Sequence, residues 1–186
     1  MEIVRKGIRI TKTKGAYPVS REEAKTHCEI ETSDEHVDGY IDRLVKASTE
    51  YFENRIGKDL AVTTNIARLY NFTGGEVIIP EGNVRSVQYV ISDTSTSLNV
   101  SDTRYYANYF KVMLTSNIGY STEYTPLQVQ YTSGFDEDEC PEIFKQAILI
   151  KIKNFYDLDR DESRPIFRTR IAISDALLDP YRLVIT

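Results

Sequence analysis

The chain has 186 residues, of which 23 are basic and 28 acidic, and its formal net charge at pH 7 is −5. This length suits one ordinary domain or two very small ones, and 41% hydrophobic residues can form a core, which excludes a wholly disordered chain. An acidic chain gains no overall electrostatic affinity for nucleic acid, which disfavours a general nucleic-acid binder. No apolar run approaches the ~20 residues that a membrane-spanning helix needs, so we expect no membrane partner.

The N-terminal third of the chain predicts two helices. Residues 1–18 contain few core-forming side chains and predict an N-terminal arm or an edge strand. A short helix over residues 20–29 should follow, because the Ser20 hydroxyl can accept a hydrogen bond from the Glu23 amide while the Glu23 carboxylate reaches back. Apolar residues at helical spacing then predict a second helix over residues 34–56, with Gly57 placed to end it.

Residues 60–131 change to β-branched and aromatic side chains, separated by turn-forming glycine, proline, serine and asparagine. This texture predicts strands. The short connections leave no room for crossover helices, so we expect an antiparallel meander rather than a parallel sheet. Pro141 then stands at the first position of a third helix that should run to about Tyr156.

The C-terminal thirty residues differ from everything before them. Residues 157–170 are highly charged and contain Pro165, which predicts a mobile or extended connector. Residues 171–182 regain apolar side chains in a segment too short to be stable by itself, so it needs a surface to dock on. That surface belongs either to another molecule or to the chain's own domain, as a helix folded back on it.

The predicted fold class is therefore α+β. A bundle of about three helices carries an antiparallel β region inserted between helices 2 and 3, with an extended C-terminal arm. The corresponding domains are an N-terminal arm or edge strand (residues 1–18), one α+β domain (residues 19–156) and a C-terminal arm with a short helix (residues 157–186).

The sequence offers little support for catalysis. His27, Cys28 and His36 lie close together in the sequence, but their spacing matches no metal-ligand or nucleophile pattern. The acidic run Asp136–Glu139 lacks the alternating spacing and central glycine of a calcium loop. We therefore predict no catalytic, metal-binding or cofactor-binding residues and no cofactor, and we expect that the protein is not an enzyme.

The tail instead mixes arginine with large apolar side chains, the composition that anchors protein interfaces. Nine residues of the tail are the predicted interface residues: Arg164, Phe167, Arg168, Ile171, Ile173, Leu177, Leu178, Tyr181 and Arg182.

Taken in order, several short motifs resemble the head-tail connector (adaptor) family of tailed bacteriophages, which prophages also encode. The resemblance spans residues 19–182. The motifs that carry it are Val19-Ser20-Arg21-Glu22-Glu23-Ala24-Lys25, Tyr51-Phe52-Glu53-Asn54-Arg55-Ile56-Gly57-Lys58-Asp59-Leu60, Ile78-Ile79-Pro80, Val84-Arg85-Ser86-Val87-Gln88-Tyr89, Val129-Gln130-Tyr131-Thr132-Ser133-Gly134-Phe135, Cys140-Pro141 with Lys145-Gln146-Ala147-Ile148, and Leu177-Leu178-Asp179-Pro180-Tyr181-Arg182.

This resemblance implies a structural protein whose copies form a ring, expected to be a dodecamer, beneath the portal protein of a filled capsid. The ring would extend the DNA channel, let DNA pass without specific binding, and dock a downstream stopper or tail-completion protein. It would lie at the head-tail interface of the virion after assembly in the bacterial host cytoplasm. The nine tail residues would then bind the portal.

Two alternatives remain open. One is another head- or tail-completion protein, such as a stopper, and the more distant one is a small metal-dependent hydrolase that uses His27 and His36. The arm hypothesis also predicts that a chain truncated at about Asp161 keeps its fold and loses portal attachment.

Overall fold

The structure is a computed structural model that describes residues 2–5, 7–71, 76–91, 97–98, 100–106, 109–114, 126–160 and 175–182. It combines helices with two antiparallel sheets, so the predicted α+β class is confirmed. The chain divides into two compact units. The β unit comprises Met1–Gly15, Val62–Gly134 and Val184–Thr186, and the helical unit comprises Ala16–Ala61 and Phe135–Leu183.

The helical unit contains three main helices. They are α1 (Arg21–His27), α2 (Asp38–Ile56) and α3 (Glu142–Arg160). A 3-10 helix (Glu35–Val37) precedes α2. After α3, the C-terminal segment (residues 175–182) forms a helical turn at 175–178 and a 3-10 helix at Asp179–Tyr181. None of the helices within the described ranges is long and apolar enough to cross a membrane.

The helix ends follow from local chemistry. Ser20 caps α1 as predicted, because its hydroxyl accepts a hydrogen bond from the Glu23 amide at 3.3 Å. Helix α2 ends at Ile56 as predicted, since Gly57 adopts φ +75°, a left-handed conformation that favours glycine. Its start differs from the prediction: Asp34 accepts a hydrogen bond from the His36 amide at 3.1 Å and caps the 3-10 helix instead.

Helix α3 is longer than the sequence predicted. It continues four residues past Tyr156, to Arg160, so the predicted connector begins inside a helix. Charged residues do not by themselves end a helix, because aspartate and arginine are tolerated at helix positions.

The helical unit encloses its own hydrophobic core. Helices α1, α2 and α3 contribute to it together with the C-terminal segment. Its fully buried members include Ala24, Ile41, Phe52, Ile148 and Leu178. The apolar stripe predicted for α2 therefore faces this core.

Nine strands lie in the part of the β unit that the structure describes. They are β1 (Glu2–Arg5), β2 (Ile8–Lys14), β3 (Thr63–Leu69), β4 (Glu76–Ile79), β5 (Val84–Ile91), β6 (Ser97–Leu98), β7 (Val100–Tyr105), β8 (Phe110–Leu114) and β9 (Leu127–Ser133). The larger sheet has the order β1-β2-β3-β9-β5-β6, and the smaller has the order β4-β8-β7.

The antiparallel prediction is confirmed, but the predicted meander is wrong. Strand β9 lies between β3 and β5, so strands that are distant in sequence are neighbours in the sheet. The prediction assumed that short connections make every strand pair with the next strand in the sequence. Here both β3 and β5 pair with β9, whose alternating pattern buries Val129 and Tyr131 on one face.

The N-terminal residues form a hairpin rather than a free arm. Strand β1 lies at the edge of the larger sheet. Strand β2 lies inside the sheet and pairs with β3 along its whole length. An edge strand was one of the two structures predicted for residues 1–18. The two sheets share one core, in which the rings of Phe110 and Tyr131 lie 4.8 Å apart. A buried ion pair between Lys12 and Glu81, with N and O 3.4 Å apart, completes this interior.

Candidate assembly site at the C-terminal segment

The structure places four of the nine predicted interface residues. Leu177, Leu178, Tyr181 and Arg182 belong to the C-terminal segment. The other five lie outside the described residues: Arg164, Phe167, Arg168, Ile171 and Ile173.

The C-terminal segment packs against the helices of its own chain. Leu178 is fully buried in the helical core, and Leu177 packs against the same core while half-buried. Burying a leucine side chain stabilises a fold by about 2 kcal/mol, so this contact holds the segment in place. The described residues thus match the alternative in which the tail folds back on its own domain.

An aromatic contact extends this packing towards the start of α3. The rings of Phe144 and Tyr181 meet edge to face, with centroids 5.0 Å apart. Tyr181 nevertheless remains 41% exposed. Tyr181 and Arg182 therefore present their outer surfaces to solvent while the segment is docked.

Polar contacts fix the segment to the end of α2. The Arg55 guanidinium donates to the Asp179 carboxylate at 2.9 Å and lies 3.4 Å from the Asp175 carboxylate. The Tyr51 hydroxyl donates to Asp175 at 2.9 Å. Asp175 and Asp179 are four residues apart, which is the spacing that brings both onto one face of a helical turn. Arg55 can therefore bridge them.

A buried cation lies beneath this polar cluster. The Lys151 ammonium nitrogen sits 3.6 Å from the centre of the Tyr51 ring and 5.2 Å from that of Phe155. Burial lowers the pKa of Lys151, an effect that the Asp175 carboxylate opposes and the Arg55 charge reinforces. Burial, together with the hydrogen bond to Asp175, raises the pKa of Tyr51. Tyr51 is thus held as a neutral donor between a carboxylate and an ammonium.

The docked tail changes the expectation for one truncation and adds four site residues. A truncation at Asp161 removes Leu178 from the helical core, so such a chain should lose stability rather than keep its fold intact. Sequence reasoning did not assign Tyr51, Arg55, Phe144 or Lys151 to the tail. One signal in the sequence was available: Asp175 and Asp179 are four residues apart with Leu177 and Leu178 between them. This spacing is typical of a helical turn that buries a leucine and presents both carboxylates to a basic residue.

The residues of the hydrolase alternative show no assembled centre. Among the described residues, no three His, Cys, Asp or Glu side chains lie together as metal ligands would. Desolvation and the nearby Lys153 charge lower the pKa of His27. Burial raises the pKa of the Cys28 thiol to about 11, and that of Cys140 to about 12. Both thiols are therefore protonated and weakly nucleophilic at neutral pH.

Several chains of solved structures share this fold, and three of them come from structures of gene transfer agent (GTA) particles. One belongs to the virion of the native particle and another to the neck of the empty particle computed with C6 symmetry. Each has a TM-score of 0.69 and 15% identity, with 95% of this chain and 96% of the other chain covered.

A third chain, from the neck of the native GTA particle computed with C12 symmetry, has a TM-score of 0.65 and 15% identity; 95% of this chain and 97% of that chain are covered. No protein-family model matches the sequence, and no curated protein does. At this identity the match shows a shared fold over nearly the whole of both chains.

Proposed function

We propose that this protein is a structural component of the neck of a phage-like particle, where a filled head joins its tail. The observation that carries the proposal is the fold match to chains of GTA virion and neck structures over 95% of this chain. The motifs that resemble phage adaptors point to the same place. Joining two parts of a particle requires shape and affinity rather than catalysis, and we assign the protein no enzymatic role.

Within the neck, copies of this protein form a ring, and twelve is the expected number. The related chains come from neck structures computed with C6 and C12 symmetry. In a ring, each copy meets its two neighbours through two different surfaces, so no self-complementary patch is needed. The ring lets DNA pass without binding it specifically.

The ring contacts the portal protein on one side and a stopper or tail-completion protein on the other. The structure refines the residues that we assign to the portal. Leu177 and Leu178 anchor the C-terminal segment within its own helical unit. Portal contact then falls to Tyr181 and Arg182, which are exposed, together with the five predicted residues Arg164, Phe167, Arg168, Ile171 and Ile173.

The test is co-purification with the portal protein of the same particle. The decisive variant carries Arg164→Ala, Phe167→Ala and Arg168→Ala, which keeps the anchoring residues in place. A matched control, Arg104→Ala with Tyr105→Ala, removes an exposed arginine and an exposed aromatic ring from β7. We expect the triple variant to bind portal at least about tenfold more weakly, a loss of about 1.4 kcal/mol, while the control binds normally.

Three other results are informative. A triple variant that binds like the unaltered protein contradicts the residues assigned to the portal contact. Binding only to a portal that already carries another neck protein identifies this chain as a stopper. Failure to bind any component of the head or tail contradicts the neck assignment itself.

A further inference from the structure

The two units of the chain carry opposite net charges. The β unit contains nine Lys and Arg against six Asp and Glu, a net charge of +3, whereas the helical unit contains fourteen against twenty-two, a net charge of −8. The acidic character of the whole protein therefore resides in the helical unit alone.

Within the β unit, the larger sheet has the strands with the fewest acidic residues. Its four central strands, β2, β3, β9 and β5, contain no Asp or Glu. Two of these strands, β3 and β9, bury alternate residues in the core of the β unit, and the residues between them are partly exposed on the opposite face. We call this opposite side, formed by the outward residues of the four strands, the outer sheet face.

The outer sheet face consists of ordered polar rows. Strand register aligns Thr13, Thr64, Thr132 and Ser86 across four strands, and the Thr132 and Ser86 hydroxyl oxygens lie 2.8 Å apart. In the next row Gln130 accepts a hydrogen bond from the Tyr89 hydroxyl. Cross-strand pairs of this kind give the face a regular set of hydrogen-bonding groups.

Two arginines lie directly opposite each other on this face. Arg9 on β2 pairs in register with Arg68 on β3. Arg68 donates to the Thr11 hydroxyl at 2.9 Å, and Arg9 lies over the ring of Tyr70 at 5.7 Å. Two guanidinium groups side by side make this part of the face basic. The pair is suited to an anionic partner.

We infer that the outer sheet face binds the acidic helical unit of a second copy of this chain. The inference rests on the proposed ring, because a ring contact joins two different surfaces of identical chains. Contact between the β unit of one copy and the helical unit of the next sets +3 against −8, whereas contact between like units repels. The helical unit supplies exposed carboxylates for it at residues 136–139 and at Glu22 and Glu29.

DNA is the competing anionic ligand, and charge disfavours it. The whole chain carries −5, so its net field disfavours the approach of a phosphate backbone, which is negative along its whole length. A second copy carries charges of both signs, so its acidic unit can meet the basic face while its own basic face remains available to the next copy.

Zero-length carbodiimide cross-linking tests the contact on the full chain. The variant Arg9→Lys with Arg68→Lys keeps both charges and gives the outer sheet face amines that couple to carboxylates. Arg104→Lys places a matched amine elsewhere in the β unit, on β7. Mixing ¹⁵N-labelled with unlabelled protein before coupling identifies links between copies by mass spectrometry. We expect links from positions 9 and 68 to carboxylates of residues 16–61 or 135–183 of another copy, several-fold more often than from position 104.

Self-association, measured by sedimentation, gives an independent reading. Arg9→Glu with Arg68→Glu should raise the dissociation constant at least about tenfold, whereas Arg104→Glu with Lys111→Glu changes it by less than about twofold. Circular dichroism establishes that each variant is folded. Should the reversed pair fail to fold, the cross-links of the charge-conserving variant still decide the question.

The possible failures are distinguishable. Rings whose cross-links avoid the outer sheet face overturn this contact and leave the proposed ring standing. Duplex DNA binding that the Arg9 and Arg68 reversal abolishes, with self-association unchanged, also overturns the inference, because the face then serves DNA. A protein that forms no oligomer at any salt concentration, alone or with portal, contradicts the ring and this contact together.

Discussion

The Tyr51 hydroxyl donates a hydrogen bond to the Asp175 carboxylate at 2.9 Å, although the two residues are 124 positions apart in the sequence. Tyr51 belongs to α2 and Asp175 to the C-terminal segment. This hydrogen bond, with the two contacts of Arg55 to Asp175 and Asp179, ties the tail to the end of α2. Single substitutions at these residues can therefore test how firmly the tail is docked.

Tyr51→Phe should loosen the docked tail without displacing its apolar anchor. Loss of a hydrogen bond to a carboxylate costs about 1.5–3 kcal/mol. Amide hydrogen exchange in residues 175–182 should accelerate about tenfold or more, because the segment opens more often. Tyr105→Phe, which alters an exposed ring on β7, is the control and should leave exchange in this segment unchanged. Equal exchange in both variants would show that the hydrogen bond does not hold the tail.

Leu178→Ala should be the most destabilising single change within the C-terminal segment. Leu178 is fully buried, and truncating such a leucine costs about 2–5 kcal/mol, depending on how far the cavity closes. Urea unfolding followed by circular dichroism measures the loss. Ala176→Ser, at an exposed position of the same helical turn, should change the free energy of unfolding by less than about 0.5 kcal/mol. A Leu178 variant as stable as this control would contradict the docked position.

The stability of the helical unit should fall in acid. The ion pair with Lys25, reinforced by Arg21, holds the pKa of Asp38 below its ordinary value of 3.8. A carboxyl group with a lowered folded pKa contributes its full stabilisation above pH 3.8, and this contribution is lost as the pH falls through the folded pKa. Lys25 also donates to the carbonyl oxygens of Thr32 and Asp34, at 3.0 and 2.8 Å.

Asp38→Asn should therefore flatten the pH dependence. Unfolding free energies measured from pH 6 down to pH 2 should decline less steeply in this variant than in the unaltered chain. Glu137→Gln, at an exposed carboxylate in the turn before α3, supplies the comparison and should keep the original slope. If the free energy of unfolding depends on pH with the same slope in both variants, Asp38 does not contribute to the loss of stability in acid.

Glu81→Gln should destabilise the β unit strongly. Lys12 and Glu81 side chains are only 7% and 6% exposed, so neutralising one partner leaves the other charge buried. Such a loss costs about 3–5 kcal/mol. Glu76→Gln removes the partner of Lys111 in a more exposed pair of the same unit and should cost less than about 1 kcal/mol.

Replacing both buried charges supplies the second arm of that test. Lys12→Met with Glu81→Leu should recover most of the stability lost in the single variant, because apolar groups of similar volume need no compensating charge. Thermal unfolding of the three variants and of the unaltered chain measures these differences. A double variant as unstable as Glu81→Gln would show that the pair contributes through hydrogen bonds to other groups.

Local patterns predicted the helices well. Ser20 caps the start of α1 and Gly57 ends α2, and both effects depend only on the local backbone. The apolar residues at helical spacing in α2 identify its buried face. Strand order was less accessible. The alternation of apolar and polar residues in a strand predicts which face is buried, but it does not predict which strand is its neighbour. No local sequence pattern therefore predicted that β9 lies between β3 and β5. The hairpin of residues 2–14 also escaped a firm prediction, because Lys12 is buried against Glu81, which lies 69 positions further along the chain.

The sequence by itself determined the α+β class, the main helices and the unusual character of the tail, because these depend on composition and short-range spacing. The tertiary structure decided where the tail rests and how charge is distributed between the two units. Both depend on groups far apart in the chain: Arg55 meets Asp179, and Arg9 stands opposite Arg68, only once the helices have packed and the strands have paired.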